Sequence, residues 1–336
     1  MKTIPQTNGD WSPAGDLVNA GLRHRIFVAA LQLKLFDHLD NSSVDEIAHR
    51  LGLHPRNTGL LLNALAGMDL IRKQGGRYEH TPLSAEFLAS QAPAYLGHYL
   101  LHVSRFHEQF PVDIEDLVSK GPAPEAMSFD DEAIWAESAR LSAAYQYSGE
   151  AQHMARVVSE LPEFSGMRSM LDLGGGSGFY TMAIVSMHPS LQGTIFEQPA
   201  VAAVARGFVQ EYGMQERVSV IDGNYMLDDL GGPHDLVFAS ATLNFFKPHF
   251  DELFVRVHES LAHGGVFITH QDGVRDERTK PANLVCEFLI PELMGMDFAI
   301  AQGEIADAML RTGFRSVRSF TKHSGMGEMD VTIGRK

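Results

Sequence analysis

One cysteine, Cys286, stands among 336 residues, so no intrachain disulfide can form, and a cytoplasmic setting is expected. Cations are also scarce. The 27 Lys and Arg against 42 Asp and Glu give a formal net charge of −15, a surface that repels nucleic acid and anionic membranes. No uncharged apolar run is long enough to span a bilayer, and the polar first 11 residues lack the apolar core of a signal peptide. The expected partners therefore include no nucleic acid and no membrane. What remains is ordinary for a folded soluble chain, with 44% hydrophobic and 21% charged residues and enough length for two domains.

The most informative stretch is Leu171-Asp172-Leu173-Gly174-Gly175-Gly176-Ser177-Gly178. An apolar run closes on a glycine turn, and residues 179–187 then read as a helix. Strand, turn and helix N-terminus make a cradle in which the missing Cβ atoms let the backbone approach a nucleoside ligand. Phe179 occupies the position where a dinucleotide site needs a third small residue. Asp172, just before the first glycine, suits an ammonium group better than a phosphate. Glu197 ends the next apolar run, where an acid holds a ribose diol, and Asp222-Gly223-Asn224 follows a third run and could edge an adenine. A cation, a ribose and an adenine without phosphate describe S-adenosylmethionine (SAM).

From residue 169 onward strands alternate with helices. They are expected at residues 169–173, 193–196, 218–221, 236–239, 266–270, 316–320 and 329–334, in a Rossmann-like α/β fold with a mostly parallel sheet and an antiparallel last strand. Ahead of it, residues 17–39 are helical, Ser43 and Glu46 form a capping box for a helix over 44–51, and Gly52 stops that helix. A further helix over 55–70 and a hairpin turning at Gly75-Gly76 complete a winged-helix unit. Its would-be recognition helix carries only Arg56 as a firm cation beside Leu60, Leu61, Leu62 and Leu65, so it is expected to bury against a partner subunit, not to read DNA. Trp11 lies in a loose arm, either folded onto its own domain or anchoring a second subunit. Residues 81–110 continue helical; His98, His102 and His107 lack a carboxylate pattern, and no metal is expected. Residues 119–131, with Pro122, Pro124, Asp130 and Asp131, read as a loop, and residues 133–161 as one long helix bearing Trp135, Tyr145 and Tyr147. The expected division is 1–118 for the helical winged-helix dimerisation domain, 119–161 for the loop and linking helix, and 162–336 for the SAM-binding domain.

With this order, Phe196-Glu197-Gln198-Pro199 and Leu261-Ala262-His263-Gly264-Gly265, the chain resembles the plant-type small-molecule O-methyltransferases of the caffeate and hydroxyindole types. The resemblance implies a homodimer through the N-terminal domain and a small-molecule methyl acceptor. It implies SAM on Gly174, Gly176, Glu197, Asp222, Gly223 and groups near Ser240, with Asp172 and Asn224 added from the residues themselves. It also implies a substrate pocket between the linking helix, the sheet edge and residues 283–299.

One departure bears on the chemistry. Where the family has Leu-His-Asp-Trp, with histidine as general base, this chain has Leu243-Asn244-Phe245-Phe246. An amide cannot take a proton at neutral pH, so Asn244 would only orient the acceptor. A thioether sulfur carries no proton and becomes a sulfonium that an aromatic wall favours. S-methylation is therefore the first candidate, as in the bacterial (DsyB-type) enzymes acting on 4-methylthio-2-hydroxybutyrate toward dimethylsulfoniopropionate. Tyr145, Tyr147, Phe245 and Phe246 would form that wall, with Tyr147 at the reacting centre. The rivals are O-methylation with a relocated base, His270 oriented by Asp272 or else His249, C-methylation aided by a metal on His270 and Asp272, and a SAM-binding regulator without turnover.

Overall fold

The structure, a computed structural model, describes residues 3–4, 6–109, 113–122, 132–325 and 327–336. It divides into two units, Met1–Gln109 and Phe110–Lys336.

In the first unit, helix α1 (Ser12–Gln32) starts inside the expected loose arm, because Pro13 is pre-shaped for a helix's first turn. Trp11 stays 79% exposed with its ring over Gly15 of the same helix. Strand β1 (Ser42–Ser43) leads into α2 (Val44–Leu51), where Ser43 and Glu46 form the expected reciprocal cap and Gly52, at φ +64°, ends the helix. Ser43→Ala should cost about 1 kcal/mol, seen as a lower urea midpoint for this unit. Helix α3 (Pro55–Gly67) turns Thr58, Leu62 and Leu65 inward. Strands β2 (Ile71–Gln74) and β3 (Arg77–His80) form the wing, turning at Gly75 and Gly76, both with positive φ as a two-residue hairpin turn requires. The helix expected over 81–110 is instead a short π-turn, Ser84–Leu88, followed by α4 (Gly97–Gln109). Phe36, Leu62, Leu65 and Tyr78 centre the core, while Leu17, Val18 and Leu22 of α1 remain exposed. The side chain of His107 lies outside the described residues, and no metal-binding group occurs among those described.

The second unit begins with α5 (Ile114–Lys120), which packs on α11 (Ala282–Leu293); the boundary therefore falls ahead of the expected residue 118. Of the loop expected at 119–131, residues 123–131, with Pro124, Asp130 and Asp131, lie outside the described residues. The linking helix is not continuous. Helix α6 (Glu132–Tyr145) breaks over Gln146–Glu150, where Gly149 has φ +130°, and α7 (Ala151–Ser159) follows. Only glycine enters that region at low cost. The break re-aims Glu150.

A sheet of seven strands carries the rest. Its strands are β4 (Ser169–Leu173), β5 (Gln192–Glu197), β6 (Val218–Asp222), β7 (His234–Ser240), β8 (Leu261–Gln271), β9 (Arg315–Ser324) and β10 (Gly327–Arg335), in the order β6-β5-β4-β7-β8-β10-β9. The first five are mutually parallel, and β10 is antiparallel to both its neighbours, as expected for the last strand. Alternate strand residues pack on opposite faces. Met170, Ile195, Phe238 and Ile268 meet α7, α8 (Phe179–Ser186) and α9 (Pro199–Glu211). Leu171, Phe196, Val237 and Phe267 meet α10 (Phe250–Ser260) and α12 (Glu304–Arg311). The strand order reverses between β4 and β7, so the crevice for a ligand opens at their C-terminal ends.

Candidate active site

A cavity of about 760 Å³ opens there. One end is built from turns that follow the strands: Gly174 and Gly176 after β4, Glu197 closing β5, Gly223 and Asn224 after β6, and Ser240 closing β7. Gly174 is in the left-handed region at φ +64°, and a Cβ there would lie 2.5 Å from Thr242 Oγ1. The loop is clasped to the broken linking helix by Ser177 Oγ, which donates to Gln146 Oε1 at 2.5 Å. Asn224 Oδ1 accepts from Met226 N at 2.9 Å, so its side chain keeps an NH₂ donor for the cavity.

The other end is aromatic. Trp135 and Tyr145 come from α6, and Phe245 and Phe246 from a 3-10 turn, Leu243–His249. Trp135 meets Phe245 edge-on at 5.0 Å, and Phe245 meets Phe298 edge-on at 4.9 Å. Hydroxyls line the wall between the two ends, from Ser142, Tyr145, Ser240 and Thr242. The Tyr145 and Tyr180 hydroxyls share a hydrogen bond of 3.1 Å, and that of Tyr225 meets Thr242 Oγ1 at 2.7 Å.

The electrostatics favour a cation. Among the described lining residues Glu197 alone is a carboxylate, and none is Lys, Arg or His. Desolvation pushes Glu197 up to about 7, opposed by backbone N–H bonds from Gln198 and Gly176. Asp172 is fully buried beneath the loop. Desolvation raises it to about 7 as well, with Thr181 opposing and Glu197 adding to the rise. Thr181 Oγ1 donates to Asp172 Oδ2 at 2.6 Å, while Oδ1 has no partner among the described residues. A buried and a half-buried carboxylate that lack a counter-charge fit a ligand bearing an ammonium group and a diol.

Five expected site residues, Asp172, Asp222, Tyr147, Asn244 and His270, lie outside the cavity lining. Asp172 supports the loop from below. Asp222 turns out to the exposed Arg206 guanidinium of α9. Tyr147, just ahead of the non-helical Ser148 and Gly149, packs on Phe179 at 5.5 Å. Asn244 is buried with its amide fully used: Nδ2 donates to Phe298 O at 2.9 Å and faces Asp272 Oδ1 at 3.4 Å, while Oδ1 accepts from Gln271. The 3-10 turn rotates Asn244 into that clamp and Phe245 into the cavity. Asn244→Ala should therefore cost about 1–3 kcal/mol of stability and leave cofactor affinity nearly unchanged, measured by urea unfolding and calorimetry. His270 is buried behind Ser240, its Nδ1 3.0 Å from Ser240 Oγ. Asp272, expected to orient it, instead accepts from Gln271 and Asn244. His249 lies at the surface beside Glu252.

Sequence reasoning missed Trp135, Ser138, Ser142 and Gln146 as lining residues. Their i, i+3, i+7 and i+11 spacing marks one helix face and could have found them. Tyr225 and Thr242 sit just past strands β6 and β7, where lining residues belong. Glu150 gave no signal, because its role depends on the break before α7.

The sequence compares closely with known methyltransferases. A family model described as the O-methyltransferase domain matches residues 134–294, and one described as the O-methyltransferase dimerisation domain matches residues 16–90. The 3-hydroxy-5-methyl-1-naphthoate 3-O-methyltransferase of Streptomyces sahachiroi is 25% identical over 327 residues, 96% of this chain and 94% of that protein. The N,N-dimethyltransferase OxyT of Streptomyces rimosus is 27% identical over 277 residues, 79% of this chain and 78% of that protein. The solved structure of human N-acetylserotonin methyltransferase in complex with SAM has the same fold, with a TM-score of 0.77, 20% identity and 99% coverage of both chains. The chain belongs to the plant-type small-molecule O-methyltransferase family and is a SAM-dependent methyltransferase.

Proposed function

We propose that this methyltransferase acts on a hydroxyl of a small, flat, largely apolar molecule bound at the aromatic end of the cavity. The observation that carries this reading is the arrangement of the cavity. Trp135, Phe245 and Phe246 offer ring faces and edges without a charge, and the hydroxyls of Ser142, Tyr145 and Ser240 stand between them and the glycine loop. Those hydroxyls can hydrogen-bond and orient an acceptor O–H. The names of the naphthoate and acetylserotonin relatives point to aromatic acceptors of this kind.

The donor would lie along the loop, its ribose on Glu197, its adenine edged by Asn224 beside Gly223, and its ammonium end toward Gly174, Gly176 and the Asp172 carboxyl beneath them. When bound, SAM supplies an electrophilic methyl group and leaves as S-adenosylhomocysteine. The protein's own part is to hold both molecules in line and exclude water from them. The exposed Leu17, Val18 and Leu22 of α1 suit a homodimer through the N-terminal domain.

Thioether sulfur is the second reading. It is favoured by the absence of histidine, lysine and aspartate among the described lining residues, and by aromatic faces suited to a sulfonium. Supplying the protein with SAM and either 1-naphthol or 4-methylthio-2-hydroxybutyrate, and measuring S-adenosylhomocysteine, separates the two. Turnover of the naphthol supports the hydroxyl reading, and turnover of the thioether alone defeats it.

A further inference from the structure

A line of buried polar groups runs from the cavity wall into the protein. Ser240 closes β7 and His270 lies beside it in register on β8, so both side chains leave the same face of the sheet. Ser240 Oγ and His270 Nδ1 are 3.0 Å apart. On the far side of the ring, His270 Nε2 lies 3.5 Å from Glu150 Oε1. The imidazole is 1% exposed and the carboxylate 9%. Tyr180 covers the ring edge-on at 5.8 Å. Glu150 reaches this position because the linking helix breaks at Gly149 just before it.

We propose that Ser240, His270 and Glu150 form the proton acceptor of this methyltransferase, in the role that Asn244 cannot fill. The proposal rests on the hydroxyl-acceptor reading above. Nε2 has no partner within ordinary hydrogen-bond geometry among the described residues, and the acid facing it is Glu150. A proton on Nε2 therefore points at a carboxylate and leaves the Nδ1 lone pair to accept from the Ser240 hydroxyl. Ser240 Oγ then has a lone pair free for the acceptor's O–H. In the reaction the acceptor O–H bond breaks and its proton passes to Ser240 Oγ, whose own proton moves to His270 Nδ1. The oxygen's electron pair forms the new bond to the methyl carbon, and the pair of the broken C–S bond stays on sulfur. The resulting imidazolium is balanced by Glu150. A 3.5 Å separation is long for a hydrogen bond and shortens when the ring becomes charged.

The surroundings keep the imidazole unprotonated until the acceptor's proton arrives, and because they oppose its charge the facing Glu150 carboxylate has to offset them. Burial lowers His270 to about 4, with His153 on α7 and the Lys322 ammonium on β9 acting in the same direction. The ring is thus unprotonated at neutral pH. Lys322 Nζ sits 3.0 Å from His153 Nε2 and also tempers the burial-driven rise of the Glu150 carboxyl. Ser240 is the catalytic residue here, His270 takes the proton through it, and Glu150 is a positioning residue.

Two measurements test this. Nitrogen NMR of the S-adenosylhomocysteine complex, with the His270 signals assigned from His270→Gln, should show a neutral ring with its proton on Nε2; a proton on Nδ1 overturns the relay. In turnover, wild type, Ser240→Ala, His270→Gln and Glu150→Gln are compared on 1-naphthol and on the more acidic 4-nitrophenol. Loss of a general base typically costs about 10²-fold or more. That loss in kcat is expected for His270→Gln on the naphthol and should be much smaller on 4-nitrophenol, which arrives largely ionised, with KM for SAM unchanged. An equal loss on both phenols, or none, overturns the relay and leaves the hydroxyl reading intact. Turnover of the methylthio acid alone sinks that reading whatever the ring's tautomer.

Discussion

Glu197→Gln is expected to weaken S-adenosylhomocysteine binding by about 10- to 100-fold, the cost of losing roughly 1.5–3 kcal/mol of charged hydrogen bonding. Glu197 is the single carboxylate among the described lining residues, and burial holds it at about 7, well above its ordinary value. A raised carboxylate resists ionisation in the empty protein. Stability therefore falls as pH climbs from the ordinary carboxylate range through about 7. A ligand that supplies a diol and an ammonium group favours the ionised form and lowers that pKa again. Binding must then release protons below about pH 7, and affinity must rise with pH until the carboxylates of Glu197 and Asp172 are both ionised. Titration calorimetry in buffers of different ionisation enthalpy measures that release. The Glu197→Gln protein should lose one of the two contributions, and Asp172→Asn the other. A pH-independent affinity in the wild type would mean that neither carboxylate meets the cofactor.

Gly174→Ala should be as damaging through the backbone alone. Its φ of +64° costs a side chain about 1–2 kcal/mol. The new methyl would also fall 2.5 Å from Thr242 Oγ1 and 2.9 Å from Thr242 Cβ. Thr242 cannot give way freely, since its hydroxyl holds Tyr225 at 2.7 Å on the cavity wall. The loop or the wall must shift, and either change spoils the cradle. Loss of detectable cofactor binding is expected in a protein that still folds. Gly176→Ala provides a graded control, with strained φ at +58° but nothing within 4 Å of the added methyl. It should bind more weakly than wild type and better than the Gly174→Ala protein.

Much of the framework was legible because it depends on local chemistry. The Ser43 cap, the Gly75-Gly76 turn, the seven strands and the antiparallel last strand each follow from a few adjacent residues. The convergence of Gly174, Gly176, Glu197, Gly223 and Asn224 on one cavity was legible for the same reason, since each sits at the end of a readable strand, whereas Ser240 entered through the family resemblance. What the sequence hid depends on rotation and on long-range contact. Tyr147 falls on the helix face that packs on Phe179, away from the cavity, and the break at Gly149 brought Glu150 to His270. The turn at residues 243–249 pointed Asn244 into a clamp with Gln271, Asp272 and Phe298 that no sequence spacing reveals. Asp222 was drawn off by Arg206, a partner 16 residues away on the neighbouring helix.

One cavity is expected to hold the donor on its glycine-lined end and the acceptor on its aromatic end. A crystal structure with S-adenosylhomocysteine and 1-naphthol bound together would decide this. The ribose should lie on Glu197, the thioether sulfur should turn toward Ser240, and the naphthol oxygen should sit between that sulfur and Ser240 Oγ, against Trp135 and Phe245. A nucleoside bound away from Glu197, or a naphthol ring on any surface but the Trp135–Phe246 wall, would contradict it.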